Sequence, residues 1–257
     1  MLSKNHTKFI QSLHLKKNRE TEGIFIAEGK KTVSEILASD WEIIEILASE
    51  SFLNGHASHI GDRNIKTTAI SSEELKKISA LSQPDDAFLL CKIPAQNPDH
   101  KKLKGDLVLY LDGIRDPGNL GTIIRVCDWF GVQSVFCSRD CTELYNSKTI
   151  QASMGSFLRV NVFYEELEDV LRNCSSVGIE LPVYGAFTEG ENVFGLKEWE
   201  PGILIIGNEA NGISEKNKEL ISKTVSIPSF SKKAPESLNA AIATSILVAE
   251  YRRKKLA

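Results

Sequence analysis

The sequence lacks the features that would direct it to a membrane or out of the cell. No segment of the 257 residues approaches the ~18 consecutive apolar residues of a membrane-spanning helix. The N-terminus has no apolar core of the kind that secretory signals carry. Its basic, acid-free start is compatible with an organellar transit peptide, but arginine is scarce there and the pattern continues directly into a folded segment. We therefore expect a cytoplasmic protein.

Metal-binding patterns are also missing. The five cysteines form no Cys-x-x-Cys pair, and the five histidines lie away from most of them. We therefore predict no metal site. Most of the cysteines lie within apolar runs, which is typical of small buried thiols in a reducing compartment. They are Cys91, Cys127, Cys137, Cys141 and Cys174.

Two common nucleotide-binding fingerprints are absent as well. Residues 207–212 (GNEANG) have the Gly-x-x-x-x-Gly spacing of a P-loop, but Ile213 and Ser214 follow where a P-loop needs Lys and then Ser or Thr. The Gly-x-Gly-x-x-Gly pattern of dinucleotide-binding domains does not occur. Glu209 places a carboxylate where a phosphate site would carry a cation, so we expect a ligand other than a polyphosphate.

The net charge of the chain does not suggest nucleic-acid binding, but one local segment does. With 31 basic and 34 acidic side chains, the formal net charge is −3, and the composition is that of an ordinary globular protein. Residues 1–19 nevertheless contain several cations and no acid, which suits contact with phosphate, although a solvated helix face would look the same. The candidate phosphate contacts are Lys4, Lys8, Lys16, Lys17, Arg19 and, beyond this segment, Lys31.

The pattern of the first part of the chain predicts a small α/β domain of residues 1–93. Apolar spacing predicts an amphipathic helix over 4–17 and a serine-capped helix over 71–81. A further helix is expected over 31–39, and strands over 23–29, 42–49, 66–70 and 86–93. Residues 94–106 are polar, contain two prolines and predict a linker.

Residues 107–257 predict a second α/β domain. Strands rich in Val, Ile and Leu alternate with helices, which indicates a mostly parallel sheet with helices on both faces. Strands are expected at 107–111, 133–137, 160–163, 182–187, 202–207 and 224–228, and helices at 119–130, 146–157, 165–174, 214–223 and about 237–253. Ligands of such sheets bind beyond the carboxyl ends of the strands.

Three loops at such strand ends carry unusual residues. DGIRDPGN (112–119) precedes a helix for which Asn119 could provide the cap, and Arg125 flanks the apolar stripe of that helix. GNEANG follows an apolar strand. IPSFSKKAPESLNAA (227–241) contains Ser237, a predicted cap, and Asn239, a polar group in an apolar helix start that needs a partner. For each loop alone, an ordinary turn and a capped helix remain the alternative.

Together the three loops resemble the signature motifs of the SpoU/TrmH-type RNA 2′-O-ribose methyltransferases of the SPOUT class. The first motif is matched by Asn119, Gly121 and Arg125; the second by Gly207, Asn208, Glu209 and Gly212; and the third by Ile227, Pro228, Ser237, Leu238 and Asn239. ASMGS (152–156) is similar to a small-residue segment of the family, and FIAEGKKTVSEIL is similar to its N-terminal RNA substrate-binding domain. The loop 229–236 departs from the family because it is longer and lacks Met and Gly; Lys232 and Lys233 would add RNA contacts there.

The resemblance implies an enzyme that methylates a ribose 2′-hydroxyl of RNA with S-adenosylmethionine. It also implies a C-terminal trefoil knot, which pattern alone would not predict, and a homodimer with its active site near the interface. Gly207, Asn208, Glu209, Gly212, Ile227, Pro228 and Leu238 would bind the cofactor, and Arg125, Asn119, Glu209, Ser237 and Asn239 would form the catalytic group. Ribosomal RNA is the favoured substrate. A transfer RNA methyltransferase and a non-catalytic RNA-binding protein that retains the fold are the alternatives.

Overall fold

The computed structural model describes residues 2–81, 83–231, 233 and 236–256. Lys232, one of the two lysines expected to add RNA contacts, lies outside these residues. The chain divides into two compact units. Unit 1 contains residues 1–95 and 143–158, and unit 2 contains residues 96–142 and 159–257. None of the described helices combines the length and the apolar character that crossing a membrane requires.

Unit 1 is built on a four-stranded sheet with the strand order β1-β4-β2-β3. The strands are β1 (Ile24–Glu28), β2 (Ile43–Ala48), β3 (Lys66–Ala69) and β4 (Ala87–Lys92). The helices of its first 95 residues are α1 (Lys4–Ser12), α2 (Lys16–Glu22), α3 (Lys30–Leu37), α4 (Glu50–Gly55), α5 (Ala57–Asp62) and α6 (Ser72–Ile78). β4 pairs antiparallel with both neighbours, whereas β2 and β3 are parallel. The predicted small α/β domain is confirmed.

The single helix predicted over residues 4–17 is wrong in its length. Two helices lie there instead, because α1 ends at Ser12 and α2 begins at Lys16. Leu13, which lies between the two helices, is fully buried. Two side chains bind carbonyl groups at the break: Asn18 Nδ2 donates to Ser12 O at 2.9 Å, and Arg19 Nη1 donates to Leu13 O at 2.6 Å. The serine cap at Ser71 is confirmed, since its hydroxyl accepts from Glu74 N and the Glu74 carboxylate accepts from Ser71 N.

Unit 2 is built on a seven-stranded sheet with the order β7-β6-β5-β10-β8-β11-β9, and every adjacent pair is parallel. The strands are β5 (Leu107–Asp112), β6 (Ser134–Cys137), β7 (Asn161–Tyr164), β8 (Val183–Phe187), β9 (Glu191–Asn192), β10 (Gly202–Gly207) and β11 (Lys223–Ser226). The helices are α7 (Pro117–Phe130), α9 (Leu167–Ser176), α10 (Glu215–Lys218) and α11 (Ala240–Leu256). The predicted parallel sheet is confirmed.

Alternate residues of the central strands face opposite sides of this sheet. Val108, Tyr110, Ile203 and Ile205 pack with residues of α9 in one buried cluster. The intervening residues of β5 and β10, such as Leu109 and Leu204, are also buried, as expected when both faces are covered. α11 packs along α7 and contacts β10. The sheet therefore lies between helical layers.

Residues 143–158 differ from the predicted domain division, which placed them within the domain 107–257. They form α8 (Ser147–Ser153) and a 3-10 turn (Ser156–Leu158), and they group with unit 1. Tyr145 and Phe157 lie with their ring centroids 4.8 and 6.1 Å from that of Phe25 in β1, and Trp41 completes the cluster. The boundary between residues 95 and 96 falls inside the segment predicted as a linker.

The structure contradicts the predicted role of Arg19 as an RNA contact. Its side chain is only 4% exposed, donates to Leu13 O and forms an ion pair with Glu143. Burial lowers the pKa of its guanidinium. The sequence could not show this, because Glu143 is 124 positions away. Arg19 is therefore a structural residue that joins α2 to the 143–158 segment.

The substitution Arg19→Met should destabilise the protein, because it leaves the Glu143 carboxylate without its partner. Breaking a buried ion pair on one side typically costs about 3 kcal/mol or more. Thermal unfolding should show a clearly lower Tm, whereas Lys17→Gln, a change at a neighbouring exposed cation, should leave it within error. An unchanged Tm in Arg19→Met would return Arg19 to the candidate RNA contacts.

Candidate active site

Three loops meet at the carboxyl edge of the unit 2 sheet. The first links β5 to α7, the second follows β10, and the third runs from β11 to α11. Because all strands are parallel, their carboxyl ends share one edge, and the loops that leave them converge there. This edge carries the candidate site residues that the sequence motifs pointed to.

Asp116, rather than the predicted Asn119, caps α7. The Asp116 carboxylate accepts from Asn119 N at 2.8 Å, and Pro117 occupies the first helical position, where its missing N–H costs nothing. The predicted cap is therefore wrong. Because Asp116 provides the cap, the Asn119 side chain can bind residues of the other two loops.

Asn119 joins all three loops through its side-chain amide. Its Nδ2 donates to the Glu209 carboxylate of the second loop, and its Oδ1 accepts from Asn239 Nδ2 of the third loop at 2.9 Å. Asn239 Oδ1 in turn accepts from Ala241 N and Ile242 N, so Asn239 caps α11. The predicted cap at Ser237 is wrong for this reason. We call Asn239, Asn119 and Glu209 the amide–carboxylate chain.

The second loop is a tight turn held by its own backbone and by Asn208. Asn208 N donates to Gly212 O at 3.0 Å, and Gly212 N donates to Asn208 O at 2.8 Å. The Asn208 amide binds Gly113 O at 2.6 Å, which ties this loop to the first. Gly207 permits the turn, because a Cβ there would clash with the Gly212 carbonyl carbon. Glu209 is presented at the exposed end of this turn.

Further side chains, which the sequence motifs did not include, fix the base of these loops. The buried Asp112 carboxylate accepts from both the backbone N and the hydroxyl of Ser214, at 2.7 and 2.8 Å. Ser138 accepts from Gly113 N at 2.8 Å and donates to Asp140 at 2.6 Å. The Ser138 hydroxyl holds the pKa of Asp140 below its usual value. In the sequence, only the place of these residues at or after the ends of strands indicated that they belong to the site.

A cavity of about 390 Å³ opens beside the amide–carboxylate chain. Its walls include most of the predicted cofactor residues together with Ser237: Gly207, Asn208, Glu209, Gly212, Ile227, Ser237 and Leu238. Pro228, Asn119, Asn239 and Arg125 are not among the lining residues. Ala186, Phe187 and Thr188, which end and follow β8, form a wall that no sequence motif indicated. The cavity combines apolar surface and backbone groups with the carboxylates of Glu209 and Glu236 and the amine of Lys218.

Family comparison agrees with these motifs. The SpoU rRNA methylase family matches residues 106–249, which is more than half of the chain, and the MRM3-like substrate binding domain matches residues 4–88. The chain belongs to the SpoU rRNA methylase family.

Relatives of known name are similar along almost the whole chain. The 23S rRNA (guanosine(2553)-2′-O)-methyltransferase RlmP of Bacillus subtilis is 28% identical over 94% of both chains. A structure from Porphyromonas gingivalis, assigned to the TrmH family of RNA methyltransferases, is 33% identical over 99% of both chains with a TM-score of 0.85. An S-adenosylmethionine-bound rRNA methyltransferase from Sinorhizobium meliloti is 25% identical, with a TM-score of 0.85 over 100% of this chain and 97% of that one.

Arg125, a motif residue of this SpoU protein, neither lines the cavity nor belongs to the amide–carboxylate chain. It is about 120° around α7 from Asn119. Its guanidinium is exposed, and among the described residues no side chain or carbonyl group binds it. It shares the exposed face of α7 with Trp129, which is 84% exposed. Within a single chain the structure therefore does not bring Arg125 to the amide–carboxylate chain.

Apart from Lys233 in the third loop, the remaining predicted RNA contacts lie in unit 1. Lys4, Lys8, Lys16, Lys17 and Lys31 are all exposed, as a role in binding phosphate would require. Lys16 is 3.7 Å from Glu20 in a solvent-exposed pair that contributes little to stability. Exposure alone does not distinguish an RNA contact from a solvated helix face, so these assignments stay predictions.

Gly207→Ala should collapse the second loop, because the added methyl group cannot fit against Gly212. We expect calorimetry to show loss of S-adenosylmethionine binding. Gly195→Ala is the matched control, since nothing lies within 4 Å of its added Cβ, and it should bind normally. Wild-type affinity in Gly207→Ala would show that this turn does not shape the cofactor pocket.

Proposed function

We propose that this protein transfers a methyl group from S-adenosylmethionine to the 2′-hydroxyl of a ribose in ribosomal RNA. The observation that carries the proposal is the amide–carboxylate chain, which joins the three family motifs beside the cavity. The B. subtilis relative, which acts on 23S rRNA, supports the choice of substrate. Ribosomal RNA is cytoplasmic in bacteria, so we also propose a cytoplasmic location.

The cavity fits S-adenosylmethionine by its chemistry. The cofactor supplies a methyl group on a positively charged sulfur. Ile227 and Leu238 offer apolar walls to the adenine, and the glycines at 207 and 212 let a ligand approach backbone groups. The Glu209 carboxylate lines the same cavity and favours a positive charge there. Pro228 would shape the turn behind Ile227 without touching the cofactor.

The amide–carboxylate chain would hold the ribose in line for transfer. Asn119 fixes the direction of the Glu209 carboxylate, and Asn239 fixes Asn119 while it also begins α11. Ser237 lines the cavity and would donate a hydrogen bond to the target nucleotide. Such positioning can supply several kcal/mol of the barrier, which is about the scale of well-oriented intramolecular reactions.

Arg125 would act on the RNA rather than on the cofactor. A guanidinium stays protonated near neutral pH, so it is a poor base there. As a bidentate clamp on the phosphate of the target nucleotide, it would place a positive charge near the 2′-hydroxyl and lower the pKa of that hydroxyl. The proton would then pass more easily to solvent water, without Arg125 accepting it.

We propose a homodimer that brings Arg125 to the site of the partner protomer. The exposed face of α7 carries Arg125 and Trp129, and the adjoining face of α11 carries Ile242, which is 53% exposed. A dimer formed on this pair of helices would cover both of these apolar side chains. The family's trefoil knot would lie in the same part of unit 2: α11 follows the third loop and packs back onto α7.

Arg125→Ala should abolish methyl transfer and leave S-adenosylmethionine affinity nearly unchanged, because Arg125 does not line the cavity. Transfer would be measured with tritiated cofactor and 23S rRNA from a strain that lacks the gene, and binding by calorimetry. Mapping of 2′-O-methyl groups in RNA from cells with and without the protein identifies the nucleotide. Near-normal turnover in Arg125→Ala would remove this residue from the site.

Mixed dimers should test whether Arg125 acts across the interface. Arg125→Ala and Glu209→Gln are each expected to be inactive. If the two residues belong to different protomers in each site, random exchange of subunits restores roughly a quarter of the sites, since half of the dimers are mixed and each has one intact site. Sites built from a single chain would regain nothing on mixing.

A further inference from the structure

We propose that Arg115 and Arg139 bind phosphate groups of the substrate RNA next to the methyl-transfer site. This inference rests on the proposed function and adds a second set of contacts for the same RNA. Arg115 follows β5 and Arg139 follows β6, which are adjacent strands of the parallel sheet. Both therefore lie at the edge that carries the amide–carboxylate chain, and Arg115 belongs to the same loop as Asp116, the cap of α7.

Neither guanidinium has a close partner among the residues that the structure describes. Arg115 Nη2 is 3.6 Å from Asp140, and Arg139 Nε is 4.0 Å from Glu166. Hydrogen bonds from a guanidinium to a carboxylate are about 2.7–2.9 Å long, so these are loose ion pairs without a hydrogen bond. The two side chains are 70% and 77% exposed. Their donor groups are available to a ligand.

The two carboxylates are held by other groups. Asp140 accepts from the Ser138 hydroxyl at 2.6 Å, and Glu166 accepts from Lys216 Nζ at 2.5 Å. Neither carboxylate must lose its principal partner if the arginine turns towards RNA. Exposed ion pairs of this kind are worth little, so exchanging one for a phosphate costs little. Ser138 also binds Gly113 N, which keeps Asp140 fixed to the loop when Arg115 leaves it.

A guanidinium suits a phosphate group because its donors match two phosphate oxygens at once. The edge carries carboxylates as well as cations, so a general attraction for polyanions is not expected there. The two arginines follow neighbouring strands, which in a sheet lie about 4.8 Å apart. Two separate cations placed in this way fit individual phosphates of one RNA strand. Such contacts set the position of the strand without reading its sequence. They would hold the backbone beside the ribose that enters the site.

The test is the double variant Arg115→Gln/Arg139→Gln, assayed with 23S rRNA from a strain that lacks the gene. For this variant, the slope of the logarithm of the RNA-binding constant against the logarithm of salt concentration should be shallower by about 1.4. Each lost phosphate contact removes roughly 0.7 from this slope for single-stranded nucleic acid. The KM for RNA should rise several-fold, while kcat and S-adenosylmethionine affinity stay unchanged. An unchanged salt slope together with an unchanged KM would overturn the inference.

Two matched variants separate phosphate binding from a purely structural role of the arginines. Lys223→Gln removes a cation that begins β11 at the opposite edge of the sheet and pairs with Glu200 at 3.8 Å. This variant should change neither the salt slope nor the KM for RNA. Asp140→Asn breaks the ion pair of Arg115 but keeps the arginine, so it should preserve or tighten RNA binding. If Asp140→Asn instead weakens binding as much as Arg115→Gln, the ion pair itself matters and the inference fails.

The outcomes also distinguish this inference from the proposed function. A wild-type protein that binds S-adenosylmethionine but methylates no 23S rRNA contradicts the proposed substrate. A wild-type protein that methylates 23S rRNA, with a double variant of equal KM and salt slope, contradicts only the role of the two arginines.

Discussion

The side-chain amide of Asn119 is the interaction on which the site depends. It donates to a carboxylate 90 positions away and accepts from an amide 120 positions away, so a single planar group holds three loops in register. An amide can do this because it carries donors and an acceptor on opposite sides. Neither a carboxylate nor an alkyl chain of similar size could satisfy both neighbours.

The parallel sheet makes this interaction possible. Its strands all end at one edge, so residues far apart in the chain are delivered to the same place without long connecting segments. Hydrogen bonds within and between the loops fix their shape: Asp116 begins α7, Asn208 closes its turn, and Asp112 holds Ser214 across two loops. Side chains that are already oriented in this way lose little entropy when a ligand binds.

Much of this architecture was predictable from local pattern. The strands of both sheets other than the two-residue β9, the serine-capped helix at Ser71 and the order of the three motifs all depend on residues that are close in sequence. Predictions failed where a distant partner decides the outcome. The helix over 4–17 breaks because Leu13 is buried and Arg19 is drawn to Glu143, and residues 143–158 leave unit 2 because their aromatic rings pack with Phe25 and Trp41.

The sequence by itself determined the sheet type, the family and the set of residues at the strand ends, because periodicity and short motifs are local properties. Only the tertiary structure decided what those residues touch. It moved the helix caps from Asn119 and Ser237 to Asp116 and Asn239, buried Arg19, and turned Arg125 away from the cavity of its own chain. The Asp116 cap is a local contact with Asn119 N. Each of the other changes depends on which groups compete for one hydrogen bond or one buried place, and that competition exists only once the chain has folded.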